Sequence, residues 1–223
     1  MKNQDPETNE ILKRRISEYA LAEDRGVQLL IQMQEFVPED ARAFLESQIK
    51  DELKHTRLFE ERAVELNMTE PFFLESLKEL YDLGQDCVDQ KDWLLCMVMQ
   101  CMIEELALAS FGNSAAQADP RTREILKEIM DDEFKHLEFT ADEIQKYNQS
   151  PADSGKIYDL QKRVLQLFIS ALMPERLDRD VPKKEQQADY KKSLLQTYRL
   201  HCARFKKLKI KVPGLPELLS LSN

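Results

Sequence analysis

Glycine is nearly absent from this chain, five residues in 223, and histidine is rarer still at three. So little glycine excludes a turn-rich β-protein, and with Glu, Leu, Lys, Gln and Met plentiful the composition is that of a helix former. The expected class is all-α. The four cysteines, Cys87, Cys96, Cys101 and Cys202, form no CxxC pair, and the N-terminus lacks a positive region followed by an apolar run and a cleavage site, so a reducing cytoplasm is the expected setting. Long apolar runs are missing too. The longest, "WLLCMVMQCMI" from Trp93 to Ile103, is about half of the roughly 20 residues a membrane-spanning helix needs, and Gln100 interrupts it. It reads as a buried core helix, with no membrane span expected.

The net charge is −9, unevenly placed. From Tyr190 onward eight basic residues stand against Glu217 alone, giving +7 and leaving −16 for residues 1–189. So acidic a body is not that of a nucleic-acid binder, whereas the basic end offers one contact face for an anionic partner.

Helical periodicity predicts a first helix from about Asn9 to Phe36, stopped by Pro38, and a second over 39–67 whose start is marked by "PED". Asn67 and Pro71 bracket a break; Phe72 to Leu83 reads as a short helix closed by Gly84. A third long helix is expected over 85–113, apolar almost all round from Trp93 to Phe111, then a break at "GNSAAQADP" and a fourth helix from Pro120 to Tyr147. "NQSPADSG" reads as a loop, "KIYDLQKRVLQLFISALM" as a helix ended by Pro174, and residues 185–209 as an amphipathic basic helix. Pro213 and Pro216 are expected to keep the tail from being helical. The expected organisation is a four-helix metal-binding unit over residues 1–150, accessory helices over 151–211 and a tail over 212–223.

Two of the three histidines end nearly identical hexapeptides, "KDELKH" at Lys50–His55 and "DDEFKH" at Asp131–His136, 81 residues apart. The same shift lays Glu52 on Glu133, Asp51 on Asp132 and Glu23 on Glu104, so each half holds a glutamate 29 residues before an E-x-x-H. The turn near Val37 and Pro38 lies almost midway between Glu23 and Glu52, and an antiparallel hairpin there brings both to one level. Residues three apart on a helix are surface neighbours, so Glu52 with His55, and Glu133 with His136, can grip one ion each. Two such hairpins face to face supply four carboxylates and two imidazoles, the donor set of di-iron and di-manganese helical bundles. Hard oxygen donors with one imidazole per metal suit iron or manganese better than zinc.

Glu104 lies within "QCMIEELALAS", where an unpaired buried carboxylate would cost several kcal/mol or stay protonated; a shared cation removes the conflict. Asp51 and Asp132 are placed to hold a histidine of the opposite motif through its other ring nitrogen. Spacing prefers Glu23 over Glu18 and Glu104 over Glu105 and leaves both alternatives open; Glu18 and Glu105 read more simply as partly solvated or supporting groups. Tyr19 and Cys101 read as core, and His201, with no acidic neighbour in sequence, as part of the basic face. Met97, Met99, Met102, Leu106, Phe111, Phe134 and Phe139 are the apolar neighbours of the ligand positions, mostly core, a minority lining a channel.

A glutamate followed by E-x-x-H, occurring twice, resembles the ferritin-like di-iron carboxylate proteins. Within them the chain is most similar to the aldehyde-deformylating oxygenases: "FVPEDARAF" after the first helix, "LLCMVMQCMIEELALAS" beside an "LLIxxxxIEAFAIS"-like third helix, and "DDEFKHL" beside "KDEYTHL". The resemblance implies a helical bundle with two irons, or a manganese and iron pair, held by Glu23, Glu52, His55, Glu104, Glu133 and His136. It implies O2 activation, an apolar channel for a small organic substrate such as a fatty aldehyde, and an electron donor whose identity it leaves open; a homodimer is compatible with it. The chain departs from that family beside Glu23, where Ala22, Asp24 and Arg25 replace an "EGEQEAHDNY" run. Two other functions fit the donor set, iron oxidation or peroxide removal of the ferritin and rubrerythrin kind, and RNA-directed hydroxylation using the basic segment 191–211. The first is disfavoured by the missing CxxC pair, the second by the acidic body.

Overall fold

A computed structural model describes residues 6–68, 74–173 and 184–219. Among them every regular element is helical: α1 (Pro6–Met33), α2 (Arg42–Glu65), α3 (Glu75–Asp89), α4 (Trp93–Gln117), α5 (Pro120–Tyr147), α6 (Pro151–Ala171), α7 (Lys184–Lys207) and α8 (Leu215–Leu219). The helix starts are set by local chemistry. Asp92 accepts from the Leu95 amide, Asp119 from the amides of Arg121 and Thr122, and Ser150 from that of Asp153, with Pro120 and Pro151 in the first turns where no donor is missed.

α1 pairs with α2 and α4 with α5; the hairpins meet through α2 against α5 and α1 against α4, making a four-helix core. α3, α6 and α7 pack on α4, and α8 on α6, so α4 is enclosed by protein. That is why its surface is apolar all round: Met97, Val98, Met99, Cys101 and Met102 are essentially out of water, each such side chain contributing about 1.5–3 kcal/mol of burial. By length and composition the whole 25-residue helix is apolar enough to cross a membrane, more than its 11-residue run suggests, and 83% of its most apolar window is buried inside the fold.

Four boundaries differ from the sequence reading. Gly84 does not close α3 but lies within it, where a Cβ would come 2.8 Å from Leu29 Cδ1; it allows α3 to approach α1. The segment 85–89 therefore belongs to α3, and a tight turn with Lys91 at φ 52° precedes the Asp92 cap. α4 runs on through Gly112 to Gln117, because the polar side chains that suggested a break find tertiary partners: Asn113 donates to Ser193 Oγ at 2.9 Å, and Ser114 Oγ bonds Tyr19 Oη at 2.8 Å. "NQSPADSG" is mostly the capped start of α6, and Pro216 falls in the first turn of a short helix, α8, rather than preventing one. The expected stops at Pro71 and Pro174, and the start at Phe72, lie outside the described residues.

Arg62, near the end of α2, donates to Thr122 Oγ1 at 2.8 Å and pairs with Asp119 at 2.8 Å, tying α2 to the first turn of α5. Two turns further into the core, α2 and α5 carry the paired E-x-x-H motifs.

Candidate metal centre

The fold brings all six candidate residues together: Glu23 from α1, Glu52 and His55 from α2, Glu104 from α4, Glu133 and His136 from α5, every one buried. His55 Nδ1 lies 3.2 Å from Glu133 Oε1, 3.3 Å from Glu52 Oε2 and 3.9 Å from Glu23 Oε2. His136 Nδ1 lies 3.1 Å from Glu52 Oε1, 3.2 Å from Glu133 Oε2 and 3.9 Å from Glu104 Oε1. Donor atoms of Glu23, Glu52, His55 and Glu133 all fall within 4.8 Å of one another, and so do those of Glu52, Glu104, Glu133 and His136. Glu52 and Glu133 belong to both groups, one oxygen turned toward each imidazole.

The outer ring nitrogens face aspartates crosswise, His55 Nε2 within hydrogen-bond reach and His136 Nε2 at ion-pair distance only. His55 Nε2 is 3.4 Å from Asp132 Oδ2, and His136 Nε2 is 3.5 Å from Asp51 Oδ2, so each half's aspartate faces the other half's histidine. Asp132 is also gripped by Lys135 at 2.7 Å and Lys54 at 2.9 Å; burial works against its ionisation, but these cations and His55 hold its carboxyl well below the usual range. Such contacts fix which ring nitrogen is left to bind an ion.

The electrostatics of the six side chains are unbalanced. Burial, then the charges of Glu52 and Glu133, push Glu23 far above an ordinary carboxylate; burial and chiefly Glu133 do the same to Glu104. Glu52 and Glu133 go the other way: burial raises both, but hydrogen bonds outweigh it, from the two histidines and Glu23 at Glu52 and from Glu104 and the two histidines at Glu133. His55 and His136, which burial alone would lower, are raised to about 10 by Glu133 and Glu52. Four carboxylates are thus set against two imidazoles, and two of the four, Glu23 and Glu104, are pushed toward the neutral form by the charges of the others. Carboxylates that can all ionise only when a cation is shared among them suit a pair of divalent ions. The cluster can hold metal ions.

The alternatives to Glu23 and Glu104 do not enter the cluster. Glu18 is buried about 7.5 Å along the α1 axis from Glu23, paired with Arg15 at 3.3 Å. Glu105 turns away from Glu104 and receives His201 Nδ1 at 2.8 Å and Arg204 Nε at 3.1 Å. This corrects three readings. His201 is not on the basic face but wholly buried against Glu105; neither Glu105 nor Glu18 is solvated; and Phe134 is 56% exposed, pointing out of the core beside Glu133. Sequence reasoning also missed Gln48, buried one turn before Glu52, whose Nε2 donates to Glu104 Oε1 at 3.1 Å. Its i−4 position relative to Glu52 was the available signal.

An apolar cavity of about 60 Å³ lies against the cluster, bounded by Glu23, Glu52 and Glu104 and walled by Leu30, Leu80, Ile103, Leu106 and Phe111. Arg15, Glu18, Tyr190 and Ser193 give it a polar border, with the Arg15 guanidinium 5.8 Å from the Tyr190 ring centroid and Tyr190 Oη 2.7 Å from Ser76 Oγ. Tyr81, also lining it, has its phenol pushed up by burial and by Glu23 and Glu104, so it stays protonated.

Four helices presenting buried carboxylates and two E-x-x-H histidines to their common axis define a ferritin-like bundle. The match of residues 15–188 to the long-chain fatty aldehyde decarbonylase family goes further, and the chain belongs to that family. Among solved structures it is similar to "Protein 19 with aldehyde deformylating oxidase activity from Synechococcus", at 17% identity and a TM-score of 0.77, over 100% of this chain and 99% of that one. No curated protein matches its sequence at a significant level.

Proposed function

We propose that the chain is a di-iron oxygenase acting on an aliphatic aldehyde. The observation that carries this reading is an apolar cavity ending on the carboxylates of two four-donor groups that share Glu52 and Glu133. Family membership and the activity named for the Synechococcus protein support it. Glu23 and His55 would hold one ion, Glu104 and His136 the other, with Glu52 and Glu133 serving both; a manganese and iron pair fits the same donors. Bound there, the metal pair supplies O2 activation, with electrons from a separate donor.

The chain's own residues do the rest. Asp132 holds the outer nitrogen of His55, fixing that ring, and Asp51 faces the outer nitrogen of His136 at 3.5 Å. Gln48 steadies Glu104 by donating to one carboxylate oxygen. Leu30, Leu80, Ile103 and Phe111 exclude water and receive an alkyl chain, while Tyr81 stays a neutral donor at the wall. An apolar lining favours an aldehyde over iron or peroxide, which are small and polar. The exposed Lys191, Lys192 and Arg199, on the face of α7 opposite its cavity-lining Tyr190 and Ser193, are proposed as the contact for an anionic partner.

The test is metal analysis together with incubation of the iron-loaded protein with aliphatic aldehydes, O2 and a reducing system. Two metals per chain and conversion of aldehyde to a hydrocarbon one carbon shorter are expected. Fewer than one metal per chain, or O2 uptake with the aldehyde untouched, would overturn the reading.

A further inference from the structure

One of the chain's few glycines has no structural reason to be a glycine. Gly26 sits inside α1, where glycine is the poorest helix former after proline, and its φ is not positive. It is buried, yet a Cβ built on it meets no atom within 4 Å. The contrast with Gly84 is direct: there a Cβ would run into Leu29 Cδ1 at 2.8 Å, so close packing demands the missing side chain. Gly112 and Gly155 also face open space, but both are exposed and the space is solvent. At Gly26 the open space is the cavity, which Gly26 lines, and Gly26 lies one turn from Glu23 on the same face of α1.

Resting on the function proposed above, we infer that Gly26 is the position that sets which alkyl chains the cavity accepts: its absent side chain keeps open the stretch of wall beside the Glu23 carboxylate. A helix that forgoes a side chain at a buried position loses packing and propensity together, and here the return is volume next to the reacting end of the substrate. A Cβ at 26 projects into that volume without meeting protein atoms, and a longer side chain extends from there. The fold therefore tolerates the substitution and the ligand does not.

Gly26→Ala, Gly26→Val and Gly26→Leu, with Gly112→Ala as an exposed control, are compared on the iron-loaded protein. Binding of unreactive straight-chain alcohols of 6 to 18 carbons is measured by displacement of a fluorescent alkyl probe, alongside metal content and aldehyde turnover. The expectation is a graded shift: the longest chain bound by the wild type loses about 10-fold or more in affinity in Gly26→Leu, the shortest stays within about twofold, and Gly26→Ala falls between. Metal per chain stays unchanged in all four, and Gly112→Ala keeps the wild-type chain-length profile.

An equal loss at every length, an unchanged profile in Gly26→Leu, or a wild type that binds no alkyl alcohol would each overturn the inference. The two readings fail separately. A protein whose alcohol profile shifts as expected but which consumes no aldehyde keeps the role of Gly26 and loses the proposed reaction. A protein that turns over aldehydes with the same length preference in Gly26→Leu does the reverse.

Discussion

In the first hairpin, Glu23 shares its stretch of α1 with exposed Asp24 and Arg25 and opens onto the cavity beside Gly26; in the second, Glu104 sits on a helix enclosed by protein. There Gln48 donates to it, and its neighbour Glu105 is bound by His201 and Arg204. The donors match across the repeat, while their surroundings do not. The cavity reaches both Glu23 and Glu104, yet only Glu104 sits beside an acid, Glu105, that is itself locked by His201 and Arg204, so matched side chains are held in unlike surroundings.

The largest effect is expected where the halves are joined. Glu133→Ala removes a carboxylate that serves both donor groups, and metal content should fall from two per chain to below one, whereas Glu23→Ala should retain about one; elemental analysis decides, and two metals retained in Glu133→Ala would show that the carboxylate is not shared. Next comes pH. In chelated protein His55 and His136 have folded values of about 10, above the ordinary 6.5, so the stability they contribute is full below about pH 6.5 and is lost as pH rises through about 10. Glu23 and Glu104, raised as well, act in the same direction from lower pH. Melting temperature should therefore drop between pH 6.5 and 10 by more than any single substitution below produces, and the drop should vanish once metal is loaded.

His201→Ala sharpens the contrast between the hairpins, because it strips a buried carboxylate of its shortest hydrogen bond, leaving Arg204 and the Cys101 thiol. A cost of about 3 kcal/mol is expected in urea unfolding, against no more than about 0.5 kcal/mol for Asp24→Ala at the exposed counterpart. Equal costs would remove the contrast between the enclosed surroundings of Glu105 and the exposed ones of Asp24. Smallest is Gln48→Leu, which deletes one hydrogen bond to Glu104: about 1–2 kcal/mol of stability in the chelated protein, with metal binding weakened at one of two resolved steps and not at the other.

The candidate cluster was readable because helix geometry ties spacing to position: an E-x-x-H places two side chains on one helix face, and a hairpin with its turn midway aligns the third. The four long helices were readable from period and caps. What escaped were features decided by a partner distant in sequence. Gly84 looked like a helix end, yet Leu29, 55 positions earlier, makes it an interior contact. Asn113 and Ser114 looked like breakers until Ser193 and Tyr19 satisfied them. His201 looked basic and exposed since its acid, Glu105, lies 96 residues away. Pro216 was read as an obstacle and the stretch around Pro151 as a loop, although a first-turn proline sacrifices no helical hydrogen bond.

The crosswise contacts, Asp132 to His55 and Asp51 to His136, have a mechanical consequence. Each hairpin carries the brace for the other's ring, so the two cannot be adjusted one at a time. If α2 slid along α5 by a single turn, about 5.4 Å, both braces would come off together. The clamp from Arg62 to Asp119 and Thr122 stands against that shear, two turns from the histidine it protects, like the pin that keeps two meshed gears in step.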